Sequence, residues 1–175
     1  AASAFTRFLE MKVEDFVVST TINLVVAQRL VRKVCKFCSK ETNIDDVVLR
    51  KIEERSDVLA ALETKQKGLS QKIAKLNFLI GTGCEKCFQT GYFGRIGLFE
   101  LITPTKEIHD AILEHTSAEK IAEVAKKQGF QSMFADGIDK VFAVSTTFEE
   151  VFAAVEQGDC QFGIIPIENS LAGSI

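Results

Sequence analysis

The sequence predicts an α+β chain, mostly helical, with a small tetracysteine module that carries short strands. Three observations predict it. Apolar residues recur at three- and four-residue spacing over several segments, the period of a helix with one buried face. Four of the five cysteines fall in two Cys-x-x-Cys pairs, Cys35/Cys38 and Cys84/Cys87. Short apolar runs bounded by glycine, at 76–80 and 92–102, read as strands flanking the second pair.

Composition sets the limits. The chain has 175 residues, 46% hydrophobic and 26% charged, with a formal net charge of -3. That balance suits a soluble globular chain with a core and not a disordered one. The acidic excess argues against a nucleic-acid partner, and the run Arg29, Arg32, Lys33 and Lys36 reads as a solvated helix face. No apolar run approaches the roughly 18 residues of a membrane span, and no signal-peptide pattern is present. An odd cysteine count without a secretory signal points to a reducing compartment and thiolate chemistry. With Ala1-Ala2-Ser3 at one end and Gly173-Ser174-Ile175 at the other, both ends read as cuts through something longer.

Along the chain, residues 3–11 read as a short helix with Phe5, Phe8 and Leu9 on one face. The apolar stretch 13–18 leads to Ser19-Thr20-Thr21, N-cap material for a helix over 22–34. Within that span Ile22, Val25, Val26, Leu30 and Val34 recur at helical spacing. After the first cysteine pair, residues 43–62 suggest a helical insertion striped by Val47, Ile52, Val58, Leu59 and Leu62, with Gly68 as a break and a metal holding its base. Gly81-Thr82-Gly83 turns a short strand into the second pair. The glycine-rich run from Thr90 to Gly97 reads as a bent strand continuing to Ile102.

Thr103-Pro104 puts proline at a first helical position. Thr116-Ser117-Ala118-Glu119 resembles a capping box whose helix Gly129 ends; Thr147-Phe148-Glu149-Glu150 repeats the pattern, with Gly158 as the stop. A last strand is expected over 162–167.

The cysteine pairs carry the chemistry. Zinc takes four ligands in a tetrahedron, with thiolate sulfur at about 2.3 Å, and a two-residue spacer lets both sulfurs of a pair face one ion. Cys35-Lys36-Phe37-Cys38 and Cys84-Glu85-Lys86-Cys87 both have that spacer, and each holds a lysine that offsets thiolate charge. The gap between pairs is longer than in ordinary zinc ribbons. The cysteines alone therefore leave three readings open: structural zinc, a redox dithiol, or unrelated buried thiols. A closed four-sulfur shell has no open position, so zinc held this way is structural and not catalytic. His109 and His115 read as solvated, Glu53-Glu54 as a solvated charge pair, and Cys160 as a small buried hydrophobe.

Two strings of residues carry a resemblance. Ala4-Phe5-Thr6-Arg7-Phe8-Leu9-Glu10-Met11 and Asn23-Leu24-Val25-Val26-Ala27-Gln28-Arg29-Leu30-Val31-Arg32-Lys33-Val34-Cys35 form the first; Gly83-Cys84-Glu85-Lys86-Cys87 with Thr90-Gly91-Tyr92 and Gly94-Arg95-Ile96-Gly97-Leu98-Phe99-Glu100-Leu101 form the second. They resemble the part of type II secretion and type IV pilus assembly ATPases, the secretion protein E family, that follows the nucleotide-binding core. The likeness runs over roughly residues 1–151. It implies a structural zinc on Cys35, Cys38, Cys84 and Cys87, and a parent that is a hexameric P-loop ATPase. That parent would be cytoplasmic, peripheral to the inner membrane, and would work against inner-membrane platform proteins. ATP and Mg belong to the intact parent alone. This chain has no G-x-x-x-x-G-K-[ST] string, so it is expected not to bind or hydrolyse ATP by itself.

Residues 152–175 resemble prephenate dehydratase, an enzyme of phenylalanine biosynthesis, through Pro166-Ile167-Glu168-Asn169-Ser170. The resemblance implies a substrate-binding strand end at Glu168, Asn169 and Ser170, where Asn169 and Ser170 donate hydrogen bonds to a small acid. Thr6-Arg7-Phe8, which spells that family's catalytic triplet, is a coincidence within a helix the ATPase likeness explains. The remaining dehydratase lobe is missing from the sequence, so turnover of prephenate is not expected. A natural fusion, a joining artefact and an engineered chimera all remain open as origins. The expected organisation is residues 1–34 as the helical end of an ATPase core, 35–102 as the zinc module with its insertion, 103–145 as a helical subdomain, and 146–175 as the dehydratase-like tail.

Overall fold

The computed structural model describes residues 1–156 and 161–164. In chain order its elements are helices α1 Ser3–Glu10 and α2 Asp15–Thr21; strands β1 Val25–Val34 and β2 Ser39–Asn43; helices α3 Asp46–Glu53, α4 Ser56–Lys65 and α5 Leu69–Lys72; strands β3 Asn77–Gly81 and β4 Tyr92–Ile102; helices α6 Lys106–Leu113, α7 Ala118–Lys127, α8 Met133–Phe142 and α9 Phe148–Glu156; and strand β5 Gln161–Ile164. The α+β class with short strands is the one the sequence predicts. The strand order in the larger sheet is β4-β1-β5, with β1 and β5 antiparallel from Val25↔Ile164 to Gln28↔Gln161; β2 and β3 form a separate pair. Among the described residues, no helix is long and apolar enough to cross a membrane.

Two compact units divide the chain. Among the described residues, the first comprises 1–28, 99–131 and 161–164, the second 29–98 and 132–156. In the first, Phe5, Ile108, Ile112 and Ile121 have almost no exposed surface and pack in one cluster with Val18, Val25 and Ile102. Burying each such side chain is worth about 1.5–3 kcal/mol. Ser117 caps α7, its hydroxyl accepting from Lys120 N–H, and Gly129 follows the helix at φ +84°. Gly129 stands where the sequence puts the helix stop, while the cap is Ser117, one residue past the Thr116 of the expected Thr116–Glu119 box.

In the second unit Phe78 of β3 meets Phe142 of α8 and Phe148 of α9 edge-on, with ring centroids 5.8 and 5.2 Å apart. A polar joint ties β1 to α9. Glu150 accepts from the backbone N–H of Arg32 at 2.9 Å and from its guanidinium at 2.6 Å, while the Thr146 hydroxyl donates to Arg32 O at 2.8 Å. The Arg32 guanidinium also lies 4.3 Å over the Tyr92 ring. Burial pushes the Glu150 carboxyl up, but the Arg32 donors outweigh it and hold the group below the usual carboxylate range.

Several expectations are corrected. The helix expected over 22–34 is strand β1, so residues 1–34 are not wholly helical. Its valines at 25, 26, 31 and 34 favour extended backbone, and a buried pattern at 25, 27, 31 and 34 mimics helical spacing. Ser19-Thr20-Thr21 end α2 and cap nothing downstream. The insertion helix breaks in two at Glu54-Arg55, where Arg55 is extended and its guanidinium pairs with Asp57. Pro104 lies before the N-cap Thr105 of α6, outside the helix. At the base of the insertion the backbone also pairs with itself, a contact the sequence does not predict: β2 and β3 run antiparallel from Ser39↔Gly81 to Asn43↔Asn77. Gly158, Cys160, residues 165–167, Glu168, Asn169 and Ser170 lie outside the described residues.

Candidate metal centre

Each cysteine pair sits in a tight turn, and the two turns are built differently. The first joins β1 to β2: Cys38 N–H donates to Cys35 O at 3.3 Å, and Ser39 enters the β2–β3 ladder. The second is a single 3-10 turn over Glu85–Cys87, entered from an extended Cys84. It is wound by bonds from Cys87 N–H and Gln89 N–H to Cys84 O at 3.2 and 2.9 Å. Phe88 and Gln89 then turn left-handed at φ 52° and 63°, a conformation that non-glycine residues adopt only where surrounding contacts impose it. Here Thr90 supplies one, its hydroxyl donating to Cys87 O at 2.6 Å.

The four sulfurs converge. All lie within 4.8 Å of one another, Cys35 and Cys87 buried, Cys38 and Cys84 half-buried. The separations are 3.9 Å for Cys35–Cys84, 3.8 Å for Cys38–Cys87 and 3.6 Å for Cys84–Cys87. Sulfurs placed about 2.3 Å from one tetrahedral ion stand about 3.8 Å apart, close to these three separations, so the donor set could hold such an ion. These spacings are far beyond a disulfide bond, and the four cysteines are free thiols. Two pairs meeting at one point is more than a redox dithiol needs, and it disposes of unrelated thiols in separate places.

The surroundings shift two of the thiols in opposite directions. Burial resists ionisation of Cys87, but the Cys84 and Gly91 backbone N–H groups and the neighbouring thiols bring it down to about 6. Cys38 moves the other way, up to about 11, through burial and the neighbouring thiols, against a backbone bond from Gly83. The predicted lysines are present but turned onto an aromatic ring: Lys86 Nζ lies 3.8 Å and Lys36 Nζ 5.3 Å from the Phe37 ring centroid.

Neither histidine joins the cluster, which is cysteine only among the described residues. His115 lies exposed and 3.2 Å from Asp15. What the sequence does not disclose is the second layer of the site: Gly91, whose carbonyl accepts from Cys35 N–H at 2.9 Å, and Thr82, whose backbone N–H and hydroxyl both donate to Cys38 O at 3.0 and 2.9 Å.

Comparison with known proteins places the chain in a family. The family model described as type II/IV secretion system protein matches residues 1–153. The chain is 38% identical over 154 residues to the type IV pilus assembly ATPase PilB of Thermus thermophilus, covering 87% of this chain and 16% of that protein. It is 34% identical over 152 residues to PilB of Pseudomonas aeruginosa, covering 86% and 24%. With type II secretion system protein E of Xanthomonas campestris it shares 29% identity over 161 residues, covering 89% and 25%. The chain thus spans a quarter or less of these relatives. The match over residues 1–153, which contains all four cysteines, identifies the chain as a member of the type II/IV secretion system protein family.

Proposed function

We propose that this chain is the C-terminal, zinc-stabilised part of a hexameric P-loop ATPase that powers type II secretion or type IV pilus assembly. The observation that carries the reading is the convergence of Cys35, Cys38, Cys84 and Cys87 at tetrahedral sulfur spacing within the family match. Bound there, zinc would cross-link the two knuckles; a four-sulfur shell leaves it no position for substrate. The residues do the rest: β1 and β2 present the first pair, the 3-10 turn presents the second, and the exposed Phe37 and Phe88 beside them offer apolar surface to a partner. The names of the matched relatives support a motor role for the parent. Its cytoplasmic station at the inner membrane and its contact with platform proteins belong to the same proposal. ATP binding and hydrolysis would reside in parts of the parent outside this sequence, which lacks the phosphate-binding string.

Metal quantification on the purified chain tests the proposal. One equivalent of zinc is expected, together with no ATP hydrolysis by the chain alone. Less than half an equivalent, with four titratable thiols and an unchanged fold, rejects it. No observation among the described residues favours the dehydratase reading, whose Glu168, Asn169 and Ser170 lie outside them.

A further inference from the structure

We infer that a backbone crossing between Gly81 and Gly91 is the positioning device of the metal site, holding the two cysteine knuckles at ligand distance across the insertion. The inference rests on the metal reading above. Residues 39–83 separate Cys38 from Cys84, and closing so long a loop on an ion costs chain entropy unless something else closes it.

The β2–β3 ladder, from Ser39↔Gly81 to Asn43↔Asn77, closes the loop itself; the crossing, at the Gly81 end of that ladder, fixes the second knuckle against the first. A Cβ on Gly81 would stand 1.8 Å from Gly91 O and 2.5 Å from its carbonyl carbon; one on Gly91 would stand 2.4 Å from Gly81 O. No side chain fits at either place, because the obstacle is backbone on both sides. Gly91 is also at φ +76°, where L-residues are strained. Three of the four cysteines are hydrogen-bonded to this point or to a residue beside it. Gly91 O takes the Cys35 N–H, and Thr82, next to Gly81, donates twice to Cys38 O. Thr90, next to Gly91, holds Cys87 O, and Cys84 follows Gly81 by three residues. Gly68, in the same unit, makes the contrast: its φ is +77°, and a Cβ there would meet nothing within 4 Å. Gly68 serves the chain's direction alone, whereas Gly81 and Gly91 serve a contact.

Titration of the 175-residue chain with Co²⁺ tests this, since tetrahedral thiolate cobalt has a visible absorption that reports both affinity and geometry. The unaltered chain is expected to give that absorption; if it gives none, the metal reading fails, and the inference falls with it. Given binding, Gly81→Ala should weaken affinity about 10–100-fold, the usual cost of disturbing groups that orient ligands, and should shift the cobalt bands. Gly68→Ala should leave both unchanged. Equal affinities for Gly81→Ala and the unaltered chain, or equal losses in both variants, overturn the inference. Should Gly81→Ala not fold, Thr82→Val decides: removing one hydroxyl bond to Cys38 O should cost about three- to tenfold, Thr82→Ser should restore it, and no change in Thr82→Val overturns the inference.

Discussion

The apolar core of the first unit and the cysteine end of the second are ordered by different means. In the first, Phe5, Ile108, Ile112 and Ile121 are excluded from water and the helices that carry them need no other fastening. At the cysteine end the aromatic residues face outward: Phe88 is 86% exposed, Phe93 53% and Phe37 49%. Order there comes from backbone hydrogen bonds, a glycine contact and four sulfurs. Apolar burial acts under any conditions that keep water out. Four thiolates would repel one another, so on the zinc reading the cation stabilises this end. The two regions should therefore respond to different perturbations.

The largest expected effect is on the cysteine end. Cys87→Ser, or removal of metal by a strong chelator, should strip the amides of Phe88, Gln89 and Thr90 of hydrogen-exchange protection while α1, α6 and α7 keep theirs. Structural zinc in small modules binds with about 10–16 kcal/mol of apparent free energy, far more than the few hydrogen bonds of that turn supply. Undiminished protection at those three amides would erase the contrast between the regions.

How much of this is legible in the sequence follows from the range of each signal. Ligand chemistry is written locally: the two-residue spacers of Cys35/Cys38 and Cys84/Cys87 suit a metal but leave a redox dithiol and unrelated thiols open, and the resemblance that Gly83–Leu101 helps to carry makes the joint site expected. Helix ends are local too: Gly129 stands where the sequence puts it, and the N-cap falls on Ser117, one residue from the expected box. Residues 22–34 mislead because β-branched residues at three- and four-residue spacing satisfy both periods, and the partner that settles it, β4, is remote in sequence. The Gly81–Gly91 contact is not legible at all. A glycine required by another backbone looks, in sequence, like a glycine required by a turn.

The apolar core offers the converse test. Phe5→Ala should destabilise the first unit by about 3–5 kcal/mol through lost burial and the cavity left behind. It should leave zinc content at one equivalent. A urea titration read by exchange in α1 and α7, with metal assayed in parallel, measures both. A loss of zinc alongside the melting of α1 would mean that the two regions are not separately ordered.

The smallest effect concerns the Glu150 joint, which is neither apolar nor metal-dependent. Glu150→Gln keeps the shape of the side chain and removes the charge that Arg32 satisfies; the expected cost at pH 7 is about 1 kcal/mol. The carboxyl titrates lower in the folded chain than in the unfolded one. Its stabilisation is therefore present above about pH 4.3, the unfolded value, and fades as pH falls through the folded value. Any metal the site holds would be lost from both proteins alike in acid, so the difference between their thermal midpoints isolates Glu150. That difference should be greatest near neutrality and narrow below pH of about 4; a difference that stays constant with pH would assign the joint to packing of the side chain and not to its charge.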